Sequence, residues 1–135
     1  MSDLLDLAGM DLENAPEPSV LDAGKEAKLR ILEVRRDNDK NDHEYILPRF
    51  EVVDEPTAMD FTDFMYLPAS WMDEKQLVRV KDKLRKFLLA FEVDLGMSID
   101  LANDLDGREG WAILGVKRSD EYGDSNTIRK YIAPK

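Results

Sequence analysis

The feature that most constrains the fold is one strongly helical segment that stands between runs of strand-type sequence. Its apolar residues recur at helical spacing, and its basic residues lie off that stripe. The stripe consists of Leu77, Val80, Leu84, Phe87, Leu88 and Phe91, and the basic residues are Lys75, Arg79, Lys83, Arg85 and Lys86. Ser70 or Asp73 can cap the start of the helix, and Gly96 stands just past its end. We expect one helix with an apolar face on the core and a basic face that is solvated or contacts nucleic acid.

Three strand-type runs precede this helix and two follow it. Residues 25–36, 43–53 and 60–67 form the first group, residues 111–118 and 127–132 form the second, and residues 98–105 connect the helix to the second group. In the first run the apolar phase changes between Ile31 and Leu32, which indicates a β-bulge. In the second run Pro48 removes a backbone donor, which indicates an edge or another bulge.

This order of elements predicts a mainly β fold with one main helix. The arrangement is typical of a five-stranded barrel of the oligonucleotide/oligosaccharide-binding (OB) type, with the helix between strands three and four. A plain α+β sandwich of the same elements is the alternative. The 135-residue length is that of one domain with a core of its own.

Charge divides the chain into a leader and a body. The formal net charge is −10, and the first 24 residues contain six acidic and no basic side chains. From Gly107 to the C-terminus, six basic residues outnumber four acidic ones. We therefore expect residues 1–24 to form a flexible acidic leader and residues 25–135 to form the OB-type domain. The overall field repels nucleic acid at long range, while a local basic groove can still bind it.

Several classes of function are disfavoured by composition. The chain has no cysteine, which removes disulfides, thiolate metal sites and cysteine nucleophiles. No apolar run approaches the roughly 20 residues that span a bilayer. His43 is the one histidine, and the carboxylate pair Asp60 and Asp63 lacks a third ligand at metal-site spacing. We expect a cytoplasmic protein that is not an enzyme, binds no metal or cofactor and contacts no membrane.

Four segments, from Ala27 onward, resemble a known family. They are LRILEV in the first strand, FEVVDEP at residues 50–56, LVRVKDKLRKFLLAF in the helix, and LDGREGWAILGVKRSDEYGDSNTIRKYIAP near the C-terminus. In these segments the chain resembles small phage and prophage OB-fold single-stranded DNA-binding proteins. The resemblance implies sequence-tolerant binding of single-stranded DNA in phage DNA replication or recombination, within the host cytoplasm.

Binding of this kind needs cations for phosphates and exposed rings for bases. In the last strand, Arg129 is expected to pair with a phosphate and Tyr131 to stack on a base, both on the face of Thr127. The full predicted interface comprises Arg30, Tyr45, Arg49, Tyr66, Trp111, Lys117, Arg118, Tyr122, Arg129, Lys130 and Tyr131. Tyr131 and Trp111 can instead pack within the barrel, and the sequence does not decide between packing and base stacking. Phe64 is a weaker candidate for the interface.

The acidic balance supports a second interpretation of the same barrel. The protein is then an acidic protein-interaction adaptor, or a polyanion mimic, without a nucleic-acid ligand. Under the first interpretation the acidic leader recruits replication or recombination proteins, or competes with DNA for the groove. Self-association into a homo-oligomer is left open by the sequence.

Overall fold

The strand-type runs and the helical stripe form a mainly β molecule with one main helix, as expected. The computed structural model describes residues 3–134, so Met1 and Ser2 of the predicted leader and Lys135 of the predicted domain lie outside the described residues. The strands are β1 Glu26–Asn38, β2 Glu44–Val52, β3 Phe61–Thr62, β4 Met65–Tyr66, β5 Glu109–Lys117 and β6 Ser125–Ile132. The helices are α1 Glu74–Ala90 and the short α2 Leu101–Asp104.

All six strands belong to one antiparallel sheet in the order β3-β2-β1-β5-β6, and β4 also pairs with β2. The edge strands approach each other where the hydroxyl of Tyr131 in β6 donates to Oδ2 of Asp63, just after β3, over 2.6 Å. Among residues 3–134, no strand ladder joins these two edges. Backbone hydrogen bonds therefore do not join the β3 edge to the β6 edge, and the connection between the two edges is made by side chains.

The predicted bulge in the first strand is confirmed. Ile31 pairs with Phe50 and Glu33 pairs with Arg49, so Leu32 is the extra residue in the β1–β2 ladder. Ile31 on one side of the bulge and Val34 on the other are both buried. The bulge lets β1 bend while both of its halves keep an apolar face on the core.

An edge or a bulge was expected at Pro48, and the structure has instead a gap in the neighbouring strand, because the third predicted strand is divided into β3 and β4 opposite this residue. Pro48 lies in β2, and its carbonyl accepts the N–H of Asp63, which falls between β3 and β4. In an antiparallel strand the N–H and C=O of one residue point to the same neighbour. An N–H at position 48 would therefore point toward the gap between β3 and β4, so the proline leaves no backbone acceptor of a paired strand without its donor.

Aromatic rings fill the centre of the core between the sheet and α1. Phe50 of β2 packs against Phe61, Phe87, Phe91 and Tyr131, with ring centroids 5.6–6.4 Å apart. The buried cluster around these rings also includes Leu29, Ile31, Ile46, Leu105, Ala112 and Leu114. Gly110 permits the close contact of β5 with the helix end, since a Cβ there would lie 2.5 Å from the carbonyl oxygen of Ala90.

The helix starts at one of its two predicted caps and ends earlier than expected. Asp73 and Gln76 form a capping box at its start. At its end, Glu92 adopts a left-handed conformation with φ 60°. The N–H of Glu92 donates to the oxygen of Leu89 over 3.1 Å, and the N–H of Val93 donates to the oxygen of Leu88 over 3.0 Å. These bonds form a Schellman motif, so the helix ends at Ala90 rather than before Gly96. Arg108 donates to the carbonyl oxygen of Glu92 over 3.1 Å and satisfies one more free acceptor.

The end of the acidic leader is attached to the sheet. Ser19 forms a bridge with Ala58, and the amide side chain of Asn126 bonds both the N–H and the C=O of Leu21 over 2.9 Å. Residues 3–18 are exposed and contain two short 3-10 turns, Ala8–Met10 and Leu12–Asn14. The segment that is hydrogen-bonded to the domain therefore begins at Ser19, and Pro16 and Pro18 already line a surface cleft with residues 56–60, ahead of the boundary expected after residue 24.

Candidate nucleic-acid interface

Five aromatic rings gather on the outer surface of the sheet beside β2 and β4. We call this group the aromatic platform, and it consists of His43, Tyr45, Phe64, Tyr66 and Trp71. Tyr45 pairs with Tyr66 across the two strands, and the next pair along, Ile46 and Met65, is buried. Because successive side chains in a strand point to opposite faces, both tyrosines lie on the outer face.

The platform is a continuous set of ring contacts. His43 stacks on Trp71 with centroids 3.6 Å apart and planes 6° from parallel. Trp71 meets Tyr66 edge-on at 5.5 Å, Tyr66 meets Phe64 at 4.9 Å, and Phe64 meets Tyr45 at 4.6 Å. Phe64 is 41% exposed and Trp71 is 39% exposed. Free ring surface in this amount is available for stacking on another planar group.

Hydrogen bonds fix the His43 end of the platform. Oδ1 of Asp39 accepts the backbone N–H of His43, and Oδ2 accepts the hydroxyl of Tyr66, both over 2.9 Å. The bond from the His43 backbone lowers the pKa of Asp39, and the Tyr66 hydroxyl acts in the same direction. The same carboxylate raises the pKa of Tyr66 above its ordinary value. The tyrosine is therefore held as a neutral donor, and its ring is oriented by a charged acceptor.

Most of the arginines predicted to bind phosphate are paired with carboxylates. Arg30 contacts both Glu51 and Glu109 at 2.7 Å. Arg49 contacts Asp60 at 3.0 Å, and Arg118 contacts Asp124 at 3.3 Å. These pairs are partly or fully open to solvent, so each is weak in water. A phosphate must displace a carboxylate to reach these side chains, which reduces their contribution to binding.

The expectation that Tyr131 stacks on a base is wrong. Tyr131 is 6% exposed, and its ring packs on Phe50, Phe87 and Phe91. A bulge at Arg129 is the cause, because the β5–β6 register shifts between Ile113–Lys130 and Leu114–Ile128. The shift moves Tyr131 to the inner face, so it does not share the face of Thr127. The alternative, in which this tyrosine packs inside the molecule, describes its position.

The other predicted residues of β5 and β6 lie on the surface. Trp111 is 45% exposed and pairs with Lys28 on one side and Ile132 on the other, so it does not serve the core. Tyr122, at the hairpin tip, is 85% exposed. Lys117, Arg129 and Lys130 are exposed and have no ionic partner among residues 3–134.

The structure brings together only part of the predicted interface. Arg30, Tyr45, Arg49 and Tyr66 share the outer face of β1, β2 and β4. Trp111 of β5 pairs with Lys28 of β1 and lies on the same outer face as Arg30, whereas Tyr122 stands at the hairpin tip and Tyr131 is buried. Sequence reasoning did not include His43 and Trp71, which flank the strands in loops, and it disfavoured Phe64. The alternation of Phe64 with Tyr66 was the one available signal for a shared face.

No family model matches the chain, and no curated protein is detectably similar to it in sequence. Within residues 3–134, no three His, Asp or Glu side chains are grouped so that they could hold a metal ion. In that same part of the chain, each helix is too short or too polar to cross a membrane.

Proposed function

We propose that this protein binds single-stranded DNA in a sequence-tolerant manner and that the aromatic platform is its principal contact surface. The observation that carries the proposal is the five-ring cluster on the outer face, with Phe64 and Trp71 each about two-fifths exposed. Every base has a π-face, so rings of this kind bind single strands with little regard to sequence. No catalytic step is part of this function.

We also propose that the sheet is an OB-type barrel. The strand order places β3 and β6 at the two edges, and the Tyr131–Asp63 hydrogen bond connects those edges. The platform lies on β2 and β4, which together correspond to the second and third strands of such a barrel. OB folds bind oligonucleotides on that face. The resemblance to phage proteins supports a role in phage replication or recombination.

Stacking is expected to dominate the affinity because the nearby cations are largely neutralised. Lys83 reaches the platform from α1, where it donates to the carbonyl oxygen of Phe64 over 2.8 Å and contacts Asp63 at 3.2 Å. Arg35 pairs with Leu47 on the outer face and forms no ion pair among residues 3–134. Each phosphate contact releases condensed counterions and steepens the dependence of affinity on salt. With few free cations on this face, we expect measurable binding with a shallow salt dependence.

The test is a titration of fluorescent oligo-dT with the full chain and with two alanine variants. Trp71→Ala and Phe64→Ala should each weaken binding about 5- to 150-fold, because stacking contributes about 1–3 kcal/mol per base. Met97→Ala is the control, since it removes an exposed apolar side chain that belongs to neither the platform nor the predicted interface. Unchanged affinity in both platform variants, or an equal loss in the control, would refute this assignment.

One observation favours the acidic adaptor as a second candidate. Arg30, Arg49 and Arg118 are each paired with a carboxylate on the surface of a chain whose net charge is −10. If the unaltered protein binds no oligo-dT even at low salt, the platform is then a contact surface for a protein partner. A comparison of single- and double-stranded oligonucleotides at two salt concentrations separates the two functions.

A further inference from the structure

The leader carries apolar side chains that are exposed to solvent between acidic ones. Leu5 is 71% exposed, Leu7 58%, Met10 51% and Leu12 56%. Residues 3–18 also contain five acidic and no basic side chains. Large apolar side chains clustered in one exposed segment commonly mark a binding surface. A partner for this segment has to offer apolar contacts and positive charge together.

The outer side of α1 has this combination. An open groove there, which we call the basic groove, is lined by Val78, Arg79, Lys81, Arg85 and Leu95, with Asp82 as its acidic member. Val78 is 65% exposed and Leu95 is 48% exposed. The helix carries six basic and two acidic side chains in a chain whose net charge is −10.

The basic groove also contains cations without acidic partners. Among residues 3–134, Arg79 and Lys81 form no ion pair, whereas Arg85 contacts Asp82 at 2.7 Å. An acidic segment that enters the groove therefore gains new pairs and displaces none at these two positions. This is the charge complementarity expected between surfaces that bind each other.

Among residues 3–134, the basic groove is lined by residues of α1 and by Leu95, and no leader residue enters it. The leader is attached through Leu21 to Asn126, near the start of β6. The helix packs near the other end of that strand, where the Phe87 ring lies 5.4 Å from Tyr131. Five residues of strand separate these two points by about 17 Å. The apolar side chains of the leader and those of the groove remain exposed within the single chain, so both surfaces are open to a neighbouring copy.

We propose that the acidic leader of one copy of this protein docks into the basic groove of a second copy. Leu7 and Met10 pack beside Val78 and Leu95, while the leader carboxylates pair with Arg79 and Lys81. A contact between two different surfaces is heterologous, and it repeats head to tail. The protein thus forms chains of copies, and this self-association requires no DNA and does not depend on the proposed DNA-binding function.

Sedimentation velocity of the full chain, without DNA, tests the proposal. We expect the sedimentation coefficient to rise with protein concentration and this rise to diminish at high salt, because exposed ion pairs are screened. The leader variant Leu7→Ser/Met10→Ser and the groove variant Arg79→Glu/Lys81→Glu should each weaken association at least tenfold. Lys40→Glu, a charge reversal in the β1–β2 loop, is the control and should associate like the unaltered protein.

The concentration dependence of the unaltered protein separates docking between copies from docking within one chain, and a mixing experiment tests whether the leader and the groove are the two surfaces that meet. The leader variant keeps an intact groove, and the groove variant keeps an intact leader. An equal mixture of the two should form a dimer and stop there, since the dimer has no second functional pair of surfaces. A monomer at all concentrations of the unaltered protein, or a mixture that stays monomeric, would overturn the proposal. Retained association in either variant would overturn it as well.

Discussion

Replacing Tyr131 with phenylalanine removes one buried hydroxyl and keeps the ring that fills the core. The hydroxyl donates to Oδ2 of Asp63 over 2.6 Å. Asp63 retains contacts with Lys83 at 3.2 Å and with the N–H of Phe64 at 2.9 Å, so the carboxylate is not left without partners. A hydrogen bond to a charged group contributes about 1.5–3 kcal/mol. We expect Tyr131→Phe to lower the free energy of unfolding by that amount.

The same substitution changes how stability depends on pH. Burial, and then the negative charge of Asp63, raise the pKa of Tyr131 well above its ordinary value. Between about pH 10 and the folded pKa, the unfolded chain loses this proton and the folded chain keeps it. The contribution of this raised pKa to the free energy of unfolding is therefore fully present below about pH 10. Above that pH it decreases, by at most about 1.4 kcal/mol per pH unit. Phenylalanine does not titrate, so the advantage of the unaltered protein over the variant shrinks in this range.

Urea denaturation at neutral pH and at about pH 10.5 measures both effects. Tyr122→Phe is the control, because this ring is 85% exposed and its hydroxyl makes no hydrogen bond among residues 3–134. A double-mutant cycle with Asp63→Asn isolates the coupling between the two side chains. Equal stability of Tyr131→Phe and the unaltered protein at neutral pH would refute the reasoning. A difference between the two proteins that is the same at both pH values would refute the assigned pKa.

Two further substitutions test how the ends of elements are held. Glu92→Gly should raise the free energy of unfolding by about 0.5–1 kcal/mol, because Glu92 has a left-handed backbone with φ 60° that glycine adopts without strain. A lower free energy of unfolding in urea denaturation would contradict this description of the helix end. Asn126→Ala should lower the free energy of unfolding by about 2–3 kcal/mol, since the buried amide bonds Leu21 twice and Gly115 once. Hydrogen exchange at the Leu21 amide should then accelerate, and unchanged exchange would show that the leader is attached by other contacts.

Local sequence signals predicted much of the fold because their physical causes are local. The phase change at Leu32 requires an extra residue in β1, and Asp73 with Gln76 can satisfy free donors at the start of α1. The end of α1 was less predictable. Gly96 is the usual type of residue for such a position, but the contact of Arg108 with Glu92 comes from a distant segment.

The candidate site was predicted in part, for a related reason. Tyr45 and Tyr66 follow from strand alternation, which a sequence displays directly. His43 and Trp71 come from two loops, and only folding stacks them 3.6 Å apart. Tyr131 was assigned to the wrong face because a one-residue bulge reverses every side chain beyond it.

The sequence by itself determined the kinds and order of elements, the acidic leader and the basic helix, because periodicity and charge are properties of neighbouring residues. Tertiary structure alone decided which rings are exposed, which arginines are neutralised, and where the leader and α1 lie relative to each other. These outcomes depend on pairs such as Arg30 with Glu109, which are 79 positions apart and meet only when β1 pairs with β5. Contacts at such separations are set by strand register, and register becomes definite only when the core packs.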